Sequence, residues 1–199
     1  MKFEFKTCTL SDGIKINGLY EIYPKIAEDT RGYFLEIYNE RDFFAAGLTM
    51  KFVQDNLSKS SKGVLRGLHF QTIHPQGKLV QVIEGKVYDV VVDLRKGSDS
   101  FGRYFGIILN SQKQNMLYIP PGFAHGYMVL SDYAISHYKC TDFYDPTGEG
   151  GLMWNDPAIG IDWKSVAPDV NPLLSEKDGK HPGFDKGKNY FDVSGKWRG

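Results

Sequence analysis

The sequence predicts a mainly β protein, a jelly-roll barrel with few short helices. Short segments rich in β-branched and aromatic residues recur between about residues 18 and 144, separated by Gly, Pro, Asn and Asp. Only one segment has a helical pattern. The chain has 199 residues, of which 41% are hydrophobic, and this is enough for one domain with a sizeable core. Many short strands at regular spacing are typical of β-sandwiches and barrels.

The first two strands are predicted at 18–26 and 32–39, on either side of the polar turn AEDTRG. The next segment, ERDFFAAG at 40–47, is the predicted helix. Gly47 is its expected C-cap, because glycine accepts the left-handed conformation that commonly follows a last helical turn.

Further strands follow up to residue 144. Segment 78–95 has strand periodicity on both sides of Glu84-Gly85, which predicts a β-hairpin. The other predicted strands share the same apolar and aromatic pattern, and they lie at 49–56, 63–71, 101–109, 115–120, 124–130 and 134–144.

The strand pattern fades after about residue 145. Residues 145–163 have the composition of a loop, and residues 179–199 form a polar, glycine-rich segment. We therefore expect one barrel domain over 1–178, followed by a mobile C-terminal tail over 179–199.

Charge and cysteine content exclude several classes of function. Lys+Arg and Asp+Glu both number 24, so the formal net charge is zero. General nucleic-acid or membrane-surface binding needs a basic excess and is not expected, although a local basic pocket for one anionic ligand is compatible with this balance. The two cysteines, the lack of a signal-peptide pattern and the lack of a long apolar segment favour a reducing, cytoplasmic location.

The stretch VLRGLHFQ, at 64–71, places Arg66 and His69 in an apolar strand. A buried charge is costly unless it is paired or used. His69 is either a core histidine bonded to a backbone carbonyl or a general base that works near neutral pH. Arg66 and His69 have opposite strand parity, so a β-bulge at Gly67 is required if both are to face one pocket.

The turn IPPGFAHG, at 119–126, resembles turns of cupins, whose barrels often hold a metal. Such a site needs about three histidines and a glutamate around one ion. Phe70 and Gln71 follow His69 where further ligands are expected, and no ligand follows His125 in its strand. The sequence therefore predicts a cupin-like barrel without a metal.

The strand AISHYKCTDFY carries the next candidate. Alternation places Ser136, Tyr138 and Cys140 on one face, and the small neighbours leave room in front of the Tyr138 ring. Tyr138 is either a core or edge tyrosine or a functional group of the same pocket.

Eight motifs in a fixed order together resemble the dTDP-4-dehydrorhamnose 3,5-epimerase family over about residues 14–178. They are RGYFLE (31–36), FVQDN (52–56), VLRGLHFQ (64–71), QGKLV (76–80), IPPGFAHG (119–126), HYKCTDFY (137–144), WNDPAIGIDW (154–163) and LSEKD (174–178). The resemblance implies a cytoplasmic cupin-type isomerase that needs no metal or redox cofactor. Its reaction would convert dTDP-4-dehydro-6-deoxy-D-glucose to dTDP-4-dehydro-L-rhamnose, a nucleotide sugar for carbohydrate and cell-surface polysaccharide biosynthesis.

The resemblance also implies residue roles. His69 matches the general base, Asp178 the carboxylate that orients it, and Tyr138 the proton donor. The remaining matches are substrate-binding positions: Arg66 and Lys78 near the sugar and phosphates, His125 on the ligand, Tyr144 stacked on thymine, and Gln54, Asp55, Asn56, Glu149 and Lys177. For the QDN triplet, an ordinary turn is the alternative. Arg31 and Glu36 match residues that reach the site from the partner subunit, which implies a homodimer that exchanges an N-terminal segment.

Three alternatives remain at this level. One is an enzyme that epimerises only C3 or only C5 of a related nucleotide deoxysugar. The second is a metal-dependent cupin oxygenase or isomerase, which metal analysis distinguishes. The third is a nonenzymatic sugar-nucleotide-binding module, which does not require a base opposite an acid.

Overall fold

The computed structural model describes residues 2–199. These residues form thirteen strands, two short α-helices and one 3₁₀ turn, Asp178–Lys180. The strands are β1 Phe3–Thr9, β2 Lys15–Pro24, β3 Ala27–Asp29, β4 Gly32–Phe34, β5 Gln54–Ser61, β6 Leu65–Gln71, β7 Lys78–Glu84, β8 Lys86–Asp93, β9 Tyr104–Asn110, β10 Met116–Ile119, β11 Phe123–Val129, β12 Tyr133–Cys140 and β13 Glu149–Gly151. The helices are α1 Glu40–Ala45 and α2 Trp163–Val166.

The strands build two large antiparallel sheets. One has six strands in the order β1-β2-β10-β7-β12-β5, and the other has five in the order β13-β6-β11-β8-β9. An apolar core that includes Val80, Leu117, Val91 and Val129 draws side chains from both sheets. The mainly β jelly-roll prediction is confirmed.

The predicted hairpin over 78–95 is wrong. β7 pairs with β10 and β12, whereas β8 pairs with β11 and β9, so the chain leaves one sheet and enters the other at Gly85. Gly85 has a φ of +84°, and a Cβ there would lie 2.2 Å from the Tyr133 carbonyl oxygen. Strand periodicity identifies both strands but does not specify their partners, which is why the hairpin reading fails.

The predicted helix is present as Glu40–Ala45, and its C-cap is Ala46, one residue before the expected Gly47. The Asn39 side chain accepts hydrogen bonds from the backbone N–H groups of Arg41 and Asp42, and Gly47 follows the helix with a φ of +85°. Phe43 is fully buried against the N-terminal strands. The predicted strand 32–39 is shorter than expected, because β4 ends at Phe34.

The C-terminal tail packs on the outer face of the five-stranded sheet, contrary to the expected mobility. Tyr190 and Phe191 are buried, and Phe70 of β6 stacks with Trp197. The Lys96 backbone N–H donates to the Phe191 carbonyl oxygen over 2.7 Å. A few aromatic residues in a polar segment are enough to anchor it, and average composition hides them. No helix within residues 2–199 has the length and apolar character to span a membrane.

Candidate active site

A cavity of about 340 Å³ opens between the two sheets. Strands β5, β7 and β12 form one wall, and β6, β11 and β13 form the other. Nine of the residues predicted from the sequence line this cavity: Gln54, Asn56, Arg66, His69, Lys78, His125, Tyr138, Tyr144 and Glu149. The polar lining and the two-walled shape suit a polar small molecule.

A β-bulge brings Arg66 and His69 to the same face, as their parity requires. His69 is opposite His125 and Arg66 is opposite Tyr127, so two residues of β6 face the single Gly126 of β11. The two backbones approach so closely that a Cβ on Gly67 would lie 2.6 Å from the Gly126 Cα. The expected bulge at Gly67 is therefore confirmed.

His69 forms a hydrogen bond with Asp178, the carboxylate that the sequence resemblance assigns to it. Its Nε2 lies 2.6 Å from Asp178 Oδ1, with side-chain exposures of 31% and 7% respectively. An ionised carboxylate only accepts, so Nε2 donates and Nδ1 is left as the basic atom. Burial lowers the pKa of His69 below its usual value, although Asp178 opposes this shift. His69 is thus a neutral, oriented base at neutral pH.

Tyr138 lines the same cavity from the opposite wall. It lies on β12 of the six-stranded sheet, whereas His69 lies on β6 of the five-stranded sheet. Burial raises the pKa of Tyr138 to about 12, so the phenol keeps its proton at physiological pH. The cavity therefore has a proton acceptor on one wall and a proton donor on the other.

Two basic side chains, Arg66 and Lys78, also line this cavity. Arg66 Nε donates to Ser60 Oγ over 3.1 Å, and Lys78 projects from β7. Burial lowers the pKa of Lys78, with Cys140 and Asp89 acting in the opposite direction. Positive charge in a confined cavity stabilises developing negative charge on a ligand.

His125 is also bonded to an aspartate. Its Nε2 lies 3.0 and 2.9 Å from the two carboxylate oxygens of Asp89. The histidine side chain is 8% exposed and the aspartate is fully buried. One ring nitrogen of His125 is therefore held by the sheet, and the ring lies beside His69 in the cavity wall.

The outer end of the cavity holds a connected polar group around Tyr144. The Tyr144 hydroxyl donates to Glu149 Oε2 over 2.7 Å, and Lys177 Nζ lies 2.5 Å from the same oxygen. Gln54 Oε1 accepts from the Tyr144 backbone N–H over 2.9 Å, and Gln54 Nε2 donates to Asn56 Oδ1 over 3.0 Å. The Tyr144 ring itself is about half exposed. It presents a face on which a planar base can stack.

Asp55 does not join this group, and its predicted place in the pocket is corrected. Gln54 and Asn56 face the cavity, so alternation directs Asp55 to the other side of β5. There it accepts from Lys139 Nζ over 2.8 and 2.9 Å.

Arg31 and Glu36 also lie outside the cavity of their own chain. Arg31 forms a two-oxygen pair with Asp29 in the exposed β3–β4 hairpin. Glu36 pairs with Lys2 and accepts from Asn39. The sequence resemblance assigns both residues to a neighbouring subunit's site, and a single chain does not test this.

Sequence reasoning missed several residues of the site. Gln71 and Tyr127 line the cavity, and strand alternation from His69 and His125 could have found both. Ser58, which shares a 2.9 Å hydrogen bond with the Tyr127 hydroxyl, could have been found in the same way from Asn56. His181 lies beside Asp178. It was missed because residues 179–199 have no strand or helix pattern and were expected to form a mobile tail.

One group of three possible metal ligands occurs among residues 2–199. Ligand atoms of His69, Asp178 and His181 lie within 4.8 Å of one another. This group differs from the cupin set of about three histidines and a glutamate, because it contains two histidines and an aspartate and does not include His125. The metal-free reaction remains a prediction.

The fold is a jelly-roll barrel, and its cavity has a histidine hydrogen-bonded to a carboxylate on one wall and a tyrosine on the other. These features are those of an isomerase of the cupin type. A family model described as dTDP-4-dehydrorhamnose 3,5-epimerase matches residues 13–186, eight residues beyond the end of the sequence resemblance. The chain belongs to the dTDP-4-dehydrorhamnose 3,5-epimerase family.

Similar proteins agree with this assignment. The chain is 50% identical to a dTDP-4-dehydrorhamnose 3,5-epimerase of Methanothermobacter thermautotrophicus, over 82% of this chain and 88% of that one. The crystal structure of the Elizabethkingia anophelis enzyme matches with a TM-score of 0.82 and 47% identity, over 94% of this chain and 99% of that one. The Legionella pneumophila enzyme, in complex with dTDP-4-keto-L-rhamnose, matches with a TM-score of 0.82 and 43% identity, over 90% and 93%.

Proposed function

We propose that this protein epimerises C3 and C5 of dTDP-4-dehydro-6-deoxy-D-glucose and releases dTDP-4-dehydro-L-rhamnose. The observation that carries the proposal is the pairing of His69 with the buried Asp178, on the wall opposite Tyr138. The names of relatives at about half identity support the same substrate.

The chemistry follows from the ketone at C4. C3 and C5 are both α to this carbonyl, so loss of either proton gives an enolate on the same oxygen. His69 Nδ1 takes the proton from one face, and the Asp178 carboxylate stabilises the resulting imidazolium. Lys78 and Arg66 stabilise the enolate oxygen, and Tyr138 returns a proton to the opposite face. The transfer leaves the carbon inverted and involves no change of oxidation state. His69 then releases its proton to solvent and Tyr138 takes one up from solvent, which restores both groups for the second carbon.

The pKa directions agree with these roles. The lowered pKa of His69 keeps the base neutral, and the pKa of Tyr138 at about 12 keeps the acid protonated. Enzymes that use one base and one acid at neutral pH need this separation.

The outer end of the cavity is proposed to bind the nucleotide. Tyr144 would stack on thymine, while Glu149 and Lys177 hold its hydroxyl side and Gln54 and Asn56 contact the ligand. These contacts join the stacking ring to β5 and β13, so the base-binding end is organised before the ligand arrives.

The working form is proposed to be a homodimer in which the β3–β4 hairpin enters the partner's site. Tyr33 and Phe34 of this hairpin are 58% and 72% exposed, which favours their burial against another surface. Arg31 lies on the same hairpin and would reach the partner's ligand, together with Glu36. The free, buried cysteines Cys8 and Cys140 suit a cytoplasmic location.

Mixing two inactive variants tests the shared site. A mixed dimer of Arg31→Ala and His69→Ala contains one site with both residues intact, so activity should return when the subunits are combined. Mass spectrometry would confirm that mixed dimers form. Mixed dimers without activity would rule out sharing of the site.

Solvent exchange tests the reaction itself. The protein is incubated with dTDP-4-dehydro-6-deoxy-D-glucose in D₂O that contains EDTA, and NMR follows C3, C5 and the product. We expect deuterium at both carbons together with inverted product. Deuterium at one carbon would identify a single-centre epimerase, activity only without EDTA a metal-dependent enzyme, and binding without exchange a nonenzymatic module.

A further inference from the structure

We infer that His181 is a positioning residue for the His69–Asp178 pair. In this arrangement the Asp178 carboxylate that orients His69 also accepts a hydrogen bond from His181. The inference deepens the proposed function and depends on it. His181 lies in the C-terminal segment 179–199, which the sequence suggested was a free tail.

The geometry brings both imidazoles near the same carboxylate oxygen. Asp178 Oδ1 lies 2.6 Å from His69 Nε2 and 3.6 Å from His181 Nε2. The two rings meet edge to face, with centroids 5.5 Å apart and planes at 75°. The His181 side chain is only 9% exposed, and within residues 2–199 its Nε2 has no hydrogen-bond partner. A buried ring nitrogen without a partner is costly, and the nearest acceptor identified for it is the carboxylate that orients His69.

The surrounding backbone keeps the His181 ring in this place. A Cβ on Gly151 of β13 would lie 2.3 Å from the ring, so only glycine admits it. The Met153 backbone N–H donates to the Pro182 carbonyl oxygen over 2.8 Å, directly after the histidine. Asp178 is held in turn, because its backbone N–H donates to Ser175 Oγ over 3.1 Å. The two side chains are thus fixed by separate contacts and brought together by the fold.

A small closure lets His181 act on the carboxylate. Shortening the 3.6 Å separation to about 3.0 Å makes a normal hydrogen bond in which Nε2–H donates to Oδ1. Two donors on one oxygen hold the carboxylate toward His69 and withdraw negative charge from it. His69 is then a weaker base than it would be with Asp178 alone, which helps it to release a proton between the two epimerisations.

Other titratable side chains also face His69. A pH profile reports on His181 alone only if these other groups stay unchanged. Lys78 reaches His69 from β7 and Glu149 from β13, while Asp178 begins the 3₁₀ turn and His181 directly follows that turn. Lys177 is paired with Glu149. A change confined to His181 leaves the other four side chains in place.

The test compares His181→Phe, which keeps a ring without a donor, with His181→Gln, whose amide nitrogen can take the place of Nε2. For His181→Phe we expect kcat to fall about 10-fold, the scale of one hydrogen bond to a charged group, with KM and dTDP affinity within about 2-fold. The acid limb of kcat/KM should move to higher pH, because the Asp178 charge then acts fully on His69. His181→Gln should restore most of kcat. His181→Ala serves as a second variant without a donor if the phenylalanine disturbs folding.

A double-mutant cycle shows whether the effect passes through Asp178. In an Asp178→Asn background, replacement of His181 should have little further effect, so the two losses should not be additive. All assays contain EDTA, which excludes a metal bridging the three groups. Wild-type kcat in His181→Phe, equal losses in the Phe and Gln variants, or additive losses would each overturn the inference. If the wild-type protein itself shows no solvent exchange, the proposed function fails, and this is a separate result.

Discussion

Two histidine–aspartate pairs lie side by side in the cavity wall, and they differ in how the protein holds them. His69 contacts one oxygen of Asp178 and is 31% exposed, whereas His125 contacts both oxygens of Asp89 and is 8% exposed. The same type of histidine–aspartate pair therefore occurs once with an accessible histidine ring, at His69, and once with a buried ring, at His125. Accessibility favours the first pair for the proposed proton transfer, since a base must reach the proton that it removes.

The two carboxylates also come from different parts of the fold. Asp89 lies on β8, next to β11, so its pair is built into one sheet. Asp178 is 109 residues from His69 along the chain and lies in a short 3₁₀ turn outside the barrel. The His125–Asp89 pair is thus held by two neighbouring strands, whereas the His69–Asp178 pair joins a strand to a turn, where the proposed contact from His181 would act on it.

The largest expected effect separates the two histidines. His69→Ala should lower epimerisation by about 10²–10⁴-fold, the usual contribution of a positioned general base. Affinity for dTDP should change little, because the nucleotide contacts lie at the outer end of the cavity. Steady-state kinetics and dTDP titration check both expectations, with circular dichroism as the folding control. Turnover at the wild-type rate would remove His69 from the mechanism.

Tyr138→Phe should divide the reaction into its two halves. Removal of the hydroxyl leaves abstraction by His69 possible, so exchange of substrate protons with D₂O should continue at a reduced rate. Inverted product should fall by about 10²-fold or more, because the opposite face loses its proton donor. NMR of one sample measures both quantities. Unchanged inversion would mean that Tyr138 only packs and that another group is the acid.

Replacing Asp178 or Asp89 by asparagine compares the two histidine–aspartate pairs most directly. Asp178→Asn should lower kcat by at least about 10-fold, because the orienting carboxylate is lost. It should lower the free energy of unfolding less than Asp89→Asn does, because the histidine partner of Asp178 is 31% exposed. Asp89→Asn should lower the free energy of unfolding by about 1–3 kcal/mol, since a fully buried charged hydrogen bond is weakened. Urea unfolding and kinetics on both variants test this. Equal loss of stability in the two would contradict the distinction between them.

The smallest expected effect is on pH dependence. The pKa of His69 is lowered from 6.5 by burial, so the acid limb of kcat/KM should lie below pH 6.5, with activity lost as pH falls and His69 becomes protonated. Asp178 raises the pKa of His69, so Asp178→Asn should move the limb further down. A limb above 6.5 in the wild type would show that burial is not the dominant influence.

Strand alternation and one parity conflict made much of the pocket predictable. His69, Tyr138, Gln54 and Asn56 all face the cavity, and the mismatch between Arg66 and His69 required the bulge that Gly67 provides. The same rule directs Asp55 outward, so that error came from treating a triplet as one unit. Side-chain direction is a local property set by the backbone pleat, and it can be read from neighbouring residues.

The sequence by itself determined the β class and the directions of the side chains along each strand, because these depend on alternation within short segments. The order of its motifs supports the family resemblance, and that resemblance implies the proposed roles of His69 and Tyr138. Only the tertiary structure decided that β7 and β8 belong to different sheets, that aromatic residues of the tail cover β6, and that His181 lies against Asp178. Which distant segments pack together depends on the total apolar surface that many side chains bury at once. A local sequence pattern does not specify this total, so the contacts between the barrel and its C-terminal segment can be seen only in the folded chain.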